Sequence, residues 1–91
     1  MYRTRGFAVL RMSVAEHVLS ALETVARTDE VRRNQDLDLR ELDLLDSLGV
    51  VELMVVLSQS LGLELSPAEI DRDEWSTPRK IVAFVEHRLG P

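Results

Sequence analysis

Cysteine is absent from the 91-residue chain. That excludes a disulfide framework, a thiolate metal site and thiol chemistry by the protein itself, and it fits a reducing compartment. No apolar run is long enough to span a bilayer. The only two histidines, His17 and His87, lie far apart and far from the serine discussed below. No metal-ligand spacing and no glycine-rich phosphate loop is present, so no metal is expected and direct catalysis lacks its usual parts. Basic residues are also short: the net charge is −5. Residues 1–11 carry Arg3, Arg5 and Arg11 with no acid, which leaves −8 on the remainder. An acidic domain repels nucleic acid and anionic membranes and favours basic protein partners. Arg32 and Arg33 are read as solvated, and two arginines are too few for a nucleic-acid footprint.

This length suits one small domain that buries roughly 60–65% of its unfolded surface. Residues 1–12 are expected to be a disordered extension. Their only apolar patch, Phe7-Ala8-Val9-Leu10, falls short of a secretory core, and Met12 offers a second start. Residues 13–91 form the expected domain.

Helix signals divide that domain. Ser13-Val14-Ala15-Glu16 fits a capping box, and Val14, Val18, Ala21, Leu22 and Val25 recur on one helical face. Glu16, Ser20, Glu23 and Arg27 fall on the opposite, solvated face, and the helix should stop near Thr28. The connection Asp29 to Asp46 holds seven acids and three bases. A connection this long needs a function or its own apolar anchors, and Leu37, Leu39, Leu42, Leu44 and Leu45 are read as anchors. A short strand at Asp36 to Arg40 is the alternative, without an evident partner.

A second helix is expected from Ser47 to about Leu61, with Asp46 as N-cap and Gly62 as its stop. Val50, Leu53, Met54, Leu57 and Leu61 suit the core. Leu48, Val51 and Val55 are then surplus apolar residues on another face, which means central burial or a docking surface. Ser66-Pro67-Ala68-Glu69 is a second capping box and should open a short helix. Asp71, Arg72 and Asp73 read as a local hydrogen-bonded turn. Thr77-Pro78 opens the last helix, with Ile81, Val82, Phe84, Val85 and Leu89 inward and Gly90-Pro91 beyond its end. The expected fold is all-α: a small bundle of three main helices plus one short helix.

Ser47 is the residue to explain. It follows an acidic stretch and opens an apolar helix, where free N–H groups and the helix dipole favour an attached anion. No neighbour in sequence activates it as a nucleophile. That reads as a serine that is modified, not one that catalyses. Helix order and the run Asp46-Ser47-Leu48 together resemble the acyl carrier protein family over about residues 13–89. The resemblance implies a 4′-phosphopantetheine arm on Ser47, with Asp46 helping a phosphopantetheinyl transferase position its metal and coenzyme A. The chain's lack of thiol agrees, since thioester chemistry must then come from the cofactor.

A narrower similarity is to the D-alanyl carrier subfamily, carried by Gly49 after Asp-Ser-Leu and by Asp71-Arg72-Asp73-Glu74-Trp75-Ser76-Thr77-Pro78. It implies a non-enzymatic cytoplasmic carrier, read as a monomer, loaded with D-alanine by an adenylating ligase. A membrane O-acyltransferase would then pass the D-alanine to a cell-wall polymer of the teichoic acid type. The N-terminal extension and Arg32-Arg33 depart from the subfamily's pattern, which leaves the final acceptor open. Leu48, Val51, Glu52 and Val55 are expected to meet partners. Glu52 is the only acid on the helix, so docking should depend on apolar contact more than charge. Trp75 is either a core anchor whose indole N–H finds an acceptor or a partner contact. Two alternatives stay open: a carrier for fatty-acid, polyketide or nonribosomal peptide synthesis, and a helical adaptor in which Ser47 is an ordinary capping residue.

Overall fold

The computed structural model describes residues 13–90. The N-terminal extension expected for residues 1–12 lies outside the described residues. Four α-helices are present among the described residues: α1 (Val14–Ala26), α2 (Glu30–Arg33), α3 (Ser47–Leu61) and α4 (Pro78–Leu89). A 3-10 turn, Pro67–Glu69, lies between α3 and α4. No strand occurs among the described residues. The all-α bundle of three main helices is therefore the observed fold.

α1 begins where Ser13 accepts from the Glu16 amide at 3.1 Å. It ends at Arg27, which takes a left-handed φ of 62° and donates its N–H to Glu23 O at 2.9 Å. α1 is the hub of the bundle and packs against α2, α3 and α4. Its buried side is Val18, Leu19, Ala21 and Leu22, while Val14 and Val25 are only half-buried. The core continues through Leu53, Met54 and Leu57 of α3 and Ile81, Val82 and Val85 of α4. Leu89, expected inward, is exposed because it sits on the last turn, next to the stop at Gly90.

The acidic connection is ordered, for reasons the leucine spacing only partly conveys. It holds the one-turn helix α2, whose Val31 is fully buried. Arg32 is not free in solvent as expected. Its guanidinium reaches Glu16 Oε1 at 2.9 Å, Ser20 Oγ at 3.0 Å and Glu23 Oε1 at 3.6 Å, and so straps α2 to α1. Those contacts hold its pKa above the usual arginine value, with the Glu16 hydrogen bond as the main cause. Arg33 remains exposed and pairs with Asp29.

Leu39 is the anchor of the second half. It is fully buried, and its carbonyl accepts from the Leu44 and Leu45 amides at 2.8 and 3.2 Å. Its own N–H reaches Ser76 O at 2.8 Å. The Gln35 carbonyl in turn takes the Arg79 amide at 2.9 Å, one of the free donors at the start of α4. Segment 35–39 is thus tied to the entry of α4 by isolated backbone bonds, not by a strand. Leu45 is buried and Leu44 half-buried, but Leu42 is 53% exposed and anchors nothing.

The short helix expected after Ser66-Pro67 is the 3-10 turn. Glu69 accepts from the Ser66 amide at 3.0 Å, and its N–H returns to Ser66 O at 3.0 Å. Arg88 of α4 holds the Glu69 carboxylate and also the Glu64 carbonyl, at 3.0 Å. Asp71 to Ser76 forms the expected hydrogen-bonded turn: Asp71 Oδ1 accepts from the Asp73 amide at 2.8 Å, and Ser76 Oγ donates to Asp73 O at 2.9 Å.

Candidate functional site

The Asp46 carboxylate accepts from the Gly49 amide at 2.7 Å, which satisfies one of the free donors of the first turn of α3. Ser47 is the first residue of that helix and is exposed. Its hydroxyl therefore stands on a rigid element, at the positive end of a helix of 15 residues. Gly49 is buried, and a Cβ there would lie 3.1 Å from Leu45 Cδ1, 3.3 Å from Asp46 Oδ1 and 3.5 Å from Val25 Cγ1. The absent side chain lets the cap close and lets the start of α3 approach α1.

α3 sorts its apolar residues onto two faces. Gly49, Leu53, Met54 and Leu57 are buried, with Val50 and Leu61 half-buried. Leu48, Val51 and Val55 are 68%, 47% and 50% exposed, and Glu52 lies exposed among them. Positions 48, 51, 52 and 55 share one helical face, so a stripe of apolar surface runs down the helix from beside Ser47. Leu42 adds an exposed apolar side chain in the preceding turn.

A half-open cleft of about 450 Å³ opens next to the serine. Its apolar lining includes Val50, Val51, Met54, Ile70 and Trp75, and its charged lining includes Arg40, Asp43, Asp46 and Arg72. The 67–75 segment supplies one wall, and α3 with the turn before it supplies the other. By period Val50 and Met54 suit the core, and in sequence Arg40 and Arg72 belong to no motif that marks a site. The cleft comes from tertiary packing and has no sequence motif.

Trp75 is a core residue, 2% exposed, and packs edge-on against Phe84 with ring centroids 5.6 Å apart at 72°. This corrects the expectation of a direct partner contact, because a side chain so covered offers a partner almost no surface. The acceptor expected for its indole N–H is missing too: Nε1 is buried without a hydrogen-bond partner among the described residues. An unmet donor of this kind costs about 1–3 kcal/mol. His17 hydrogen-bonds Ser60 at 3.0 Å between α1 and α3, and His87 is exposed. No cluster of potential metal ligands occurs among the described residues.

The site suits a phosphate ester by its own chemistry: an exposed hydroxyl, a capped helix start and arginines in the adjoining cleft. Residues 16–85 match the family model described as a phosphopantetheine attachment site. The chain is 44% identical over 75 residues to the D-alanyl carrier protein of Enterococcus faecalis, covering 82% of this chain and 96% of that one. It is 42% identical over 74 residues to the D-alanyl carrier protein of Lacticaseibacillus rhamnosus, covering 81% and 91% respectively. The protein of the same name from Bacillus velezensis is 42% identical over 71 residues, covering 78% and 91%. Matches of this extent have one meaning: the chain belongs to the acyl carrier family, whose covalently attached cofactor is 4′-phosphopantetheine.

Proposed function

We propose that Ser47 is the attachment point of the phosphopantetheine arm and that the cargo is D-alanine. The observation that carries the first half is the exposed Ser47 on the first turn of α3, directly after the Asp46 cap. Attachment joins Ser47 Oγ to the phosphorus of coenzyme A's pantetheine arm, with adenosine 3′,5′-bisphosphate leaving and the serine proton lost. The arm supplies a terminal thiol, which this chain lacks. Ser47 holds the phosphodiester where the N–H groups and dipole of α3 favour an anion. Asp46 keeps that helix start in one geometry and meets the phosphopantetheinyl transferase.

The relatives' names and the apolar docking face support D-alanine as the cargo. An adenylating, D-alanine-activating ligase is the proposed loading partner, and a membrane O-acyltransferase system serving a teichoic-acid-type polymer is the proposed recipient. Leu48, Val51 and Val55 meet these partners by apolar contact, with Glu52 as the single charge on the stripe. Tethering turns each delivery into an encounter at high effective concentration. The carrier is proposed to work as a cytoplasmic monomer without catalytic activity or nucleic-acid binding. No helix among the described residues is long and apolar enough to cross a membrane, so the membrane step falls to the partner.

A second reading, a carrier of longer acyl groups, draws on the cleft beside Ser47. Its half-open shape and its four charged lining residues suit a hydrocarbon chain less well than an enclosed apolar cavity would.

The deciding experiment is intact mass after incubation with coenzyme A and a broad-specificity transferase, with Ser47→Ala in parallel. One added phosphopantetheine in the wild type alone supports Ser47. No addition, with an active transferase control, removes that reading and favours a helical adaptor. The holo protein is then offered D-alanine or fatty acids with ATP and the matching ligases. Loading by fatty acid alone overturns the proposed cargo.

A further inference from the structure

We infer that Arg40 and Arg72 form a two-guanidinium clamp for the phosphodiester on Ser47. This rests on the attachment proposed above and assigns the arm's anchoring to residues outside the serine motif.

Seven arginines lie among the described residues. Arg32, Arg33, Arg79 and Arg88 each hold a carboxylate within 4.0 Å. Arg27, Arg40 and Arg72 hold none among the described residues, and two of these three line the same cleft as Ser47. Some of the acids close to both in sequence accept from backbone amides. Asp38 Oδ1 accepts from the Arg40 and Glu41 amides at 3.1 and 3.0 Å. Asp71 Oδ1 accepts from the Asp73 amide, and Asp46 Oδ1 from the Gly49 amide. Neither Arg40 nor Arg72 forms an ion pair within 4.0 Å among the described residues, so both guanidiniums remain available to an anion in the cleft. A planar guanidinium matches phosphate oxygens in a bidentate way, which a side chain with a single ammonium cannot do.

Asp43 lines the cleft with no side-chain hydrogen bond among the described residues, so its charge opposes an anion there. It also takes a left-handed φ of 57°, which Asn tolerates as well as Asp. Asp43→Asn therefore removes the opposing charge at little conformational cost.

The test uses 15N-labelled apo and holo protein, the holo form verified by mass. The Arg40 and Arg72 Nε–Hε resonances should shift on attachment, and the shift should vanish near 1 M salt, where the Debye length is about 3 Å. The 31P resonance of the arm should move in Arg40→Gln and Arg72→Gln, less in the lysine variants, and in the opposite sense in Asp43→Asn. It should stay put in Lys80→Gln, since Lys80 lines a separate groove. Holo protein of correct mass whose arginine resonances match the apo form overturns the clamp and leaves the attachment standing. Failure to attach the arm overturns both. The apo–holo comparison needs no variant, so poor folding of a variant cannot hide the answer.

Discussion

The Asp46 carboxylate and the glycine at 49 are fitted to each other: the acid accepts from the Gly49 amide at 2.7 Å, and a Cβ on Gly49 would stand 3.3 Å from that same oxygen. Leu45, itself buried, would be nearer still at 3.1 Å. Two effects oppose in Gly49→Ala. Helix propensity favours alanine by up to about 1 kcal/mol. Crowding a packed site costs about 1–3 kcal/mol. Because Leu45 and the capped carboxylate are both held, the expected balance is a net loss of about 1 kcal/mol, read from the urea midpoint. A raised midpoint would show that Leu45 yields.

Asp46 caps α3, and recognition by the transferase is the second role proposed for it. Asp46→Ala should lose about 0.5–2 kcal/mol with the cap. Asp46→Asn keeps an acceptor for the Gly49 amide and should keep most of that stability while losing the charge. If the asparagine variant is stable yet slowly modified, the charge serves the transferase. If it is modified at the wild-type rate, Asp46 is a cap and nothing more.

Val51 is half-exposed, whereas Leu53 two positions on is fully buried. Val51→Asp should leave stability within about 0.5 kcal/mol. Loading by the ligase should slow by about tenfold, equivalent to ~1.4 kcal/mol of docking. Raising salt should change the wild-type loading rate little, since the stripe carries one charge. Unfolding of the variant by circular dichroism would mean that α3 rotates its stripe inward.

Acid should weaken the fold, and the sign follows from three carboxylates. The Arg79 hydrogen bond holds Asp36 below its ordinary 3.8, and the Glu41 amide does the same for Asp38. Arg88, with help from the Ser66 amide, holds Glu69 below its ordinary 4.5. These groups take up protons more readily in the unfolded chain. Their contribution is complete above the ordinary carboxylate range and is lost as pH falls through the lowered values. All three are exposed, so each effect is small and salt-screened. Melting curves from pH 6 down to pH 2.5 should show Glu69→Gln with a flatter acid limb than the wild type. Parallel limbs would mean that the Arg88 contact contributes nothing.

The helices were legible because their signals are local. Ser13, Asp46 and Thr77 each accept from the predicted first-turn amide, and Gly62 ends α3 in the left-handed region as a glycine can. Period alone placed Leu53, Met54 and Leu57 on one face of α3 and Leu48, Val51 and Val55 on another, but left open whether the second set was buried or exposed; packing leaves it exposed. α2 was missed because it is a single turn held by Val31 and by the reach of Arg32 to α1. Leu42, expected as a loop anchor, and Leu89, expected inward on the last helix, are both exposed, since a turn or a last helical residue need not face the core.

The sequence by itself determined the helix starts, the serine at the head of an apolar helix and the absence of any thiol, all of which depend on neighbouring residues or on composition. Tertiary structure decided what lies around that serine. The cleft exists because segment 67–75 folds back beside α3, bringing Arg72 and Ile70 to one cavity with Arg40 and Ser47. It also decided that Trp75 is buried with an unmet indole N–H and that Arg32 is a strap instead of a solvated charge. Each of these depends on which distant residues come within a few ångströms, and that is set by tertiary packing, not by spacing along the chain.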